Sequence, residues 1–186
     1  AKSRNLKFLR FVHRLDLPTT GILLASKSPG GVAPYSKLFS DRAVEKRYLA
    51  VVEGRPSQQE WRCEEPLGPH PTQHGRHQVD RRNGKDAMTE FTVLATSPKR
   101  ALIEARPLTG RTHQIRLHLL AAGLPVVGDV LYGRGEPDQL LGLRSVVLSY
   151  QDPFTHRPVW IGAPTEEFLS RFGFSGAVGE RYRRPS

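Results

Sequence analysis

Residues 88–123 read MTEFTVLATSPKRALIEARPLTGRTHQIRLHLLAAG: two runs of strand-forming residues joined by four turn-prone ones, then a helix-like stretch. MTEFTVLA (88–95) and RALIEARPL (100–108) carry β-branched and apolar side chains at strand spacing, and Thr96-Ser97-Pro98-Lys99 is short enough to close a hairpin. From 112 to 122 the apolar positions recur at helical spacing, with Thr112 as the expected N-cap and Gly123 as the stop. A hairpin running directly into a helix argues for α+β architecture with a mainly antiparallel sheet.

Upstream of this stretch, RYLAVVEG (47–54) predicts a strand ending at Gly54-Arg55-Pro56. LRSVVLSY (143–150) and RPVWIGAP (157–164) predict another strand pair, followed by a short helix over 165–172. On the N-terminal side, residues 6–13 and GILLASK (21–27) predict two buried strands flanking a turn at 17–21. After Ser28-Pro29-Gly30-Gly31, the spacing of Val32, Tyr35, Leu38 and Phe39 predicts an amphipathic helix. Residues 66–85 predict an irregular basic loop with one short strand at HQVDR, and 173–186 a basic tail too poor in apolar residues to order. No repeat or linker divides the chain, so residues 1–172 are expected to form one domain, with the tail at 173–186.

A length of 186 residues suffices for a core burying roughly 70% of the unfolded surface. The chain holds 28 Lys and Arg against 18 Asp and Glu, an excess of ten positive charges that favours a polyanionic partner. Among the basic residues 21 are Arg, and hydrophobic residues make up 38%, a globular composition that excludes a disordered or collagen-like chain. One cysteine, Cys63, excludes an intramolecular disulfide framework and a cysteine-rich zinc site and fits a reducing compartment. Neither a membrane span nor a secretory leader is visible, so a soluble, intracellular protein is expected.

Several chemistries are unsupported: no Gly-x-Ser-x-Gly elbow, phosphate-binding GxxxxGK[ST] loop, GxGxxG or HExxH is present. His70, His74 and His77 lack thiol or carboxylate partners at metal-ligand spacing, so no metal site is expected. Glu64 and Glu65, adjacent on an expected strand, would point to opposite faces and cannot form a glycosidase pair. Two signals stand out. In FVHRLDLPTTG an apolar strand delivers Asp16 and Arg14 into a turn, although an Asp in that place can equally be a turn cap. In GRTHQIRLHLLAAG, Arg116 lies midway along a helix that is mostly buried, where its guanidinium requires a carboxylate; Asp16 is the attractive partner, and the arginine would hold it ionised. His113 is either a third member or a packed core histidine, and the pattern favours the latter.

At these residues the sequence resembles the RluA family of RNA pseudouridine synthases. HRLDLPTTG (13–21) is similar to the family's catalytic-loop signature, and EKRYLAVVEG (45–54) to its Lys-x-Tyr-x-Ala-x-Val-x-Gly strand. NGKDAMTEF (83–91) and GRTHQIRLHLLAAGLPVVGDVLYG (110–133) are similar to two further family motifs, all four in the family's order. Thr20 stands where the family usually has Ser, a change that keeps the hydroxyl. The resemblance implies a mixed, mainly antiparallel sheet with a central RNA-binding cleft, and isomerisation of uridine to pseudouridine without a cofactor. It further implies Asp16 as catalytic carboxylate, Tyr48 as the tyrosine against the target base, Arg116 as the ion-pair partner of Asp16, and Arg14 as the side chain entering the vacated RNA stack.

Breaking an N1–C1′ glycosidic bond and remaking it through C5 needs one ionised carboxylate near the sugar, as nucleophile or to assist elimination. The base must leave its stack first, at a cost of a few kcal/mol eased by an aromatic ring and a planar guanidinium. Tyr48 could stack or act as a base. The RNA-binding set expected around these groups is His13, Arg14, Thr20, Lys46, Arg76, Arg82, Lys85, Arg111 and His113, with Arg81, Arg181, Arg183 and Arg184 as further phosphate contacts. The expected partner is structured ribosomal or transfer RNA, bound by a monomer in the bacterial cytoplasm or an organelle matrix. Family members usually carry further strands with a Lys-Pro-x-Gly segment before HRLD, often after an S4-like domain. This sequence starts at Ala1 without them, so most of one catalytic domain is expected. The competing readings are a non-catalytic RNA-binding or RNA-folding protein on the same fold and, from charge alone, a basic DNA-binding or ribosome-associated protein.

Overall fold

The four-residue apolar run at 49–52 is uninterrupted because the strand that carries it is covered on both faces. In a computed structural model, which describes residues 7–175 and Tyr182, Leu49 and Val51 point to one side and Ala50 and Val52 to the other, all fully buried. The elements in chain order are β1 (Arg10–Phe11), β2 (Thr20–Gly21), β3 (Ala25–Ser26), α1 (Pro29–Ser40), β4 (Glu45–Glu53), β5 (Glu60–Cys63), β6 (Leu67–Pro69), β7 (His77–Val79), β8 (Thr89–Thr96), β9 (Arg100–Pro107), α2 (Gln114–Ala121), β10 (Leu143–Gln151), β11 (Pro158–Gly162) and α3 (Glu166–Arg171).

The main sheet has the order β11-β10-β4-β9-β8-β5, antiparallel throughout, and β2 adds to β10 in parallel. The expected hairpin is β8–β9, closed where the Ser97 amide and the Arg100 carbonyl bond at 2.8 Å. Helix α2 covers one face, its Ile115 and Leu119 packing on Ala50, Phe91 and Ile103; Phe168 and Leu169 of α3 cover the other, on Leu49, Val51 and Leu102. Helix α1 closes the β10–β11 edge through Tyr35, Leu38 and Phe39, as its spacing predicts. The α+β class and mainly antiparallel sheet are thus those expected.

Several local expectations require correction. The N-terminal runs do not form buried strands: β1 and β3 are two residues each and pair only with one another, leaving Leu9, Phe11 and Leu23 exposed. An apolar run is buried only where a second layer covers it, and one face of these runs meets solvent; residue 6 lies outside the described residues. Residues 66–85 are more ordered than a loop, since β6 and β7 form a ribbon whose Leu67 and Val79 pack with Leu117 of α2. Strand β5 was not expected, and Glu64 and Glu65 follow it rather than lying on a strand, each paired instead with an arginine, Arg62 and Arg81. Thr112 is not the cap of α2: His113 takes that place with φ of 56°, a left-handed conformation that a helix cannot include. In the expected tail, Phe174 and Tyr182 are buried in the α3-side core, and Tyr182 donates to Glu104 at 2.6 Å. The rest of that tail beyond Ser175, with Arg181, Arg183 and Arg184, lies outside the described residues.

Candidate active site

The short helix α2 is fixed to the sheet by polar side chains. Gln114 is fully satisfied: its carboxamide nitrogen donates to the Met88 carbonyl (2.9 Å) and Thr89 Oγ1 (3.0 Å), and its oxygen accepts from Thr109 Oγ1 (2.6 Å) and the Arg111 amide (2.9 Å). One turn on, the buried His118 ring bonds Thr89 Oγ1 through Nδ1 and the Glu65 carbonyl through Nε2, at 2.9 and 3.0 Å. Burial keeps this imidazole below its ordinary pKa, hence neutral. Sequence reasoning missed both residues; the available signal was polar side chains on the buried face of a helix, which demand partners.

Between them lies Arg116, 1% exposed. Its charge is held not mainly by Asp16 but by Asp129, which sequence reasoning did not single out. Arg116 Nε donates to Asp129 Oδ2 at 2.7 Å and Nη2 to Oδ1 at 2.6 Å, a bidentate pair with both partners buried. Asp129 Oδ1 also accepts the amides of Leu131 and Tyr132 at 3.0 Å each. Burial opposes charge on the guanidinium, and Asp129, Asp16 and the Tyr132 ring outweigh it, so the arginine stays cationic. The remaining nitrogen, Nη1, has no hydrogen bond and stands 3.7 Å from Asp16 Oδ2. Arg116 thus joins a buried acid that fixes it to a second acid at the surface of a cleft.

Asp16 reaches this place on a turn held from three directions. The Thr19 amide donates to the Asp16 carbonyl at 2.8 Å. Before the turn, His13 Nε2 accepts the Leu24 amide at 2.9 Å while its ring stacks on Phe39 at 4.3 Å between centroids. Burial pushes the His13 pKa down to about 4, with Lys46 adding to the shift, so this imidazole is a neutral brace. After the turn, β2 enters the sheet beside β10. Gly21 is required there: its φ is 110°, and a Cβ would collide with the Ser145 carbonyl oxygen. Ser145 pairs with Gly21 on one side and Tyr48 on the other, which brings the end of the Asp16 turn within one strand of Tyr48.

Asp16 and Tyr48 line a cleft of about 340 Å3 together with Arg14, Lys46, Arg111 and Ile115, within the size range of small-ligand sites. Three cations around one carboxylate make it a site for an anion-bearing ligand. Burial pushes the Tyr48 phenol up to about 12. Lys46 donates to the Thr109 carbonyl at 3.2 Å, and burial, aided by Arg42, lowers its pKa. Arg111 Nε donates to the Asp86 carbonyl at 2.9 Å, and Arg14 is exposed at the lip.

Of the residues singled out from sequence, His13, Arg14, Asp16, Lys46, Tyr48 and Arg111 meet in this cleft, with Arg116 behind it. Thr20 does not line it; its hydroxyl accepts from Arg144 Nη1 at 3.2 Å and fastens the turn to β10. His113 stands behind the cleft wall, its Nδ1 2.7 Å from the Tyr132 hydroxyl. Arg76, Arg82 and Lys85 sit on and beside the β6–β7 ribbon, outside the cleft, and Arg81 is engaged by Glu65. Among the described residues no group of three or more His, Cys, Asp or Glu could hold a metal ion. None of the described helices is long and apolar enough to cross a membrane.

The family model for RNA pseudouridylate synthases matches residues 1–121. Ribosomal large subunit pseudouridine synthase D of Nitrosomonas europaea is 40% identical over 127 residues, covering 68% of this chain and 36% of the relative. Ribosomal large subunit pseudouridine synthase C of Vibrio vulnificus is 34% identical over 176 residues, covering 89% and 54%. Among solved structures, human RNA pseudouridylate synthase domain containing 1 superposes with a TM-score of 0.76 at 28% identity, over 84% of this chain and 69% of that one. The chain spans 36% to 54% of the length of these two curated relatives.

Proposed function

The chain belongs to the RNA pseudouridylate synthase family, and on that premise we propose that it isomerises uridine to pseudouridine in structured RNA, with Asp16 as the reacting carboxylate. The observation that carries the reading is Asp16 Oδ2 at 3.7 Å from Arg116 Nη1, on a guanidinium already clamped by Asp129. A carboxylate that only capped a turn has no need of a buried cation behind it. The guanidinium behind it draws the Asp16 carboxylate by charge and aims it into the cleft, where it acts on the ribose either as nucleophile at C1′ or by assisting elimination. The N1–C1′ bond breaks, the uracil turns, C5 bonds to C1′, the C5 proton goes to solvent and N1 takes one up. Atoms and electrons balance without a co-reactant.

The raised pKa of Tyr48, about 12, favours a neutral phenol at pH 7 and so a ring that stacks on the base rather than a base that removes a proton. Arg14 at the lip is suited to fill the vacated stack, and Lys46 and Arg111 to contact phosphate or base oxygens. The names of the curated relatives make large-subunit ribosomal RNA the first substrate to try, with transfer RNA second. We read the catalytic domain as running past residue 172 to take in the buried Phe174 and Tyr182, acting as a monomer in a bacterial cytoplasm. The test is to incubate the protein with unmodified RNA transcripts and map pseudouridine by base. Discrete sites formed by the wild type and absent with Asp16→Asn support the reading; equal product from both contradicts it.

A further inference from the structure

Tyr132 is where three parts of the molecule meet. Its ring lies against the Arg116 guanidinium, 5.0 Å from Cζ to ring centroid. Its hydroxyl accepts the His77 amide at 2.9 Å, which ties it to β7, and stands 2.7 Å from His113 Nδ1 at the start of α2. With one lone pair taken by that amide, the phenol proton is free to point to Nδ1, an arrangement in which the neutral His113 ring carries its own proton on Nε2. The ring also packs in the cluster that joins Leu67 and Val79 of the β6–β7 ribbon to Leu117 of α2.

Arg116 needs such a support. Two of its nitrogens are committed to Asp129, and the third faces Asp16 across 3.7 Å without a hydrogen bond, so the tilt of the guanidinium plane sets how Asp16 is held. The Tyr132 ring restrains that tilt, and its hydroxyl is held by the ribbon that bears Arg76 and leads to the exposed Arg82 and Lys85. We propose that Tyr132 is a positioning residue for the Asp16–Arg116 pair and makes the seating of the β6–β7 ribbon on α2 a condition for that pair's geometry. The inference rests on the reading of Asp16 as the reacting carboxylate. Loss of the hydroxyl also frees His113, which burial, with Arg116 and His77, holds below its ordinary pKa against the pull of Asp16 and Asp129. A charged His113 competes with Arg116 for Asp16.

The test compares the wild type with Tyr132→Phe and Tyr132→Leu on unmodified large-subunit ribosomal RNA transcripts. It measures kcat and KM from pH 5.5 to 8.5, thermal unfolding, and the His113 ring titration by NMR in the RNA-free protein. For Tyr132→Phe, which keeps the ring, we expect kcat to fall roughly tenfold with KM nearly unchanged. Its thermal unfolding should stay close to wild type, with the acid limb of kcat and the His113 titration both moving to higher pH. Tyr132→Leu should lose more kcat. An active wild type with kcat, pH profile and His113 titration unmoved in Tyr132→Phe overturns this inference alone, as does a loss confined to KM or to stability. A wild type that forms no pseudouridine overturns the underlying reading, and the inference falls with it.

Discussion

Asp16 in the cleft and Arg116 behind it stand 3.7 Å apart, yet the regions that carry them are built differently. Arg116 sits on a helix packed against the central sheet, with Gln114 and His118 on either side fully bonded and Asp129 taking two of its nitrogens. Asp16 sits on a turn held by the Thr19 amide, by the His13 ring between the Leu24 amide and Phe39, by a two-residue pairing of β2 with β10 and by one Arg144–Thr20 contact, beside a ribbon whose Leu9 and Phe11 face solvent. The carboxylate proposed to react is on the lightly held side and the orienting charge on the rigid side. A loop can admit a large substrate while the core supplies a fixed electrostatic reference, and this division suits a carboxylate that must reach a base taken out of an RNA stack.

The contrast breaks most readily from the rigid side. Asp129→Ala leaves Arg116 buried without its clamp, and unfolding by denaturant should show a loss of about 3–5 kcal/mol together with loss of activity. On the lightly held side, His13 predicts a pH dependence. Its folded pKa, about 4, lies below the unfolded value near 6.5, so the unfolded chain binds the proton first as pH falls. Stability present above pH 6.5 should decline by a few kcal/mol toward pH 4, a slope that His13→Gln should remove. Gly21→Ala forces a Cβ onto the Ser145 carbonyl at a left-handed φ and should cost about 1–3 kcal/mol, moving the Asp16 turn and lowering kcat more than Tm. At the small end, Phe11→Ser on the exposed ribbon should change unfolding free energy by less than about 0.5 kcal/mol; a larger loss would mean that the ribbon is packed as firmly as the core.

The same contrast explains what could be read in advance. Strands β4, β8, β9 and β10 announce themselves because burial on one or both faces imposes an alternating or unbroken apolar pattern, and α1 shows in its three- and four-residue spacing. Leu9 and Phe11 gave the same signal without the burial, since hydropathy does not report whether a second layer exists. The cleft residues Asp16, Tyr48, Lys46 and Arg111 were legible through motif resemblance and, for Asp16 and Arg116, through the need of a buried charge for a partner. Asp129 was not, because in VVGDVLYG an Asp before a turn reads as a cap, and it does bond the amides of Leu131 and Tyr132. Only the fold reveals that the same carboxylate also clamps Arg116. Strands β5 and β6 are four and three residues long, too short for a periodicity to register.

The claim that Asp16 is the reacting group on a loop aimed by a buried arginine is tested most directly by base-level pseudouridine mapping with wild type and Asp16→Asn, with RNA affinity measured alongside. Discrete pseudouridines should form with the wild type and none with Asp16→Asn, with RNA affinity unchanged or tighter once the carboxylate charge is removed. Product formation by Asp16→Asn at the wild-type rate, or RNA binding by a wild type that forms no pseudouridine, would contradict it.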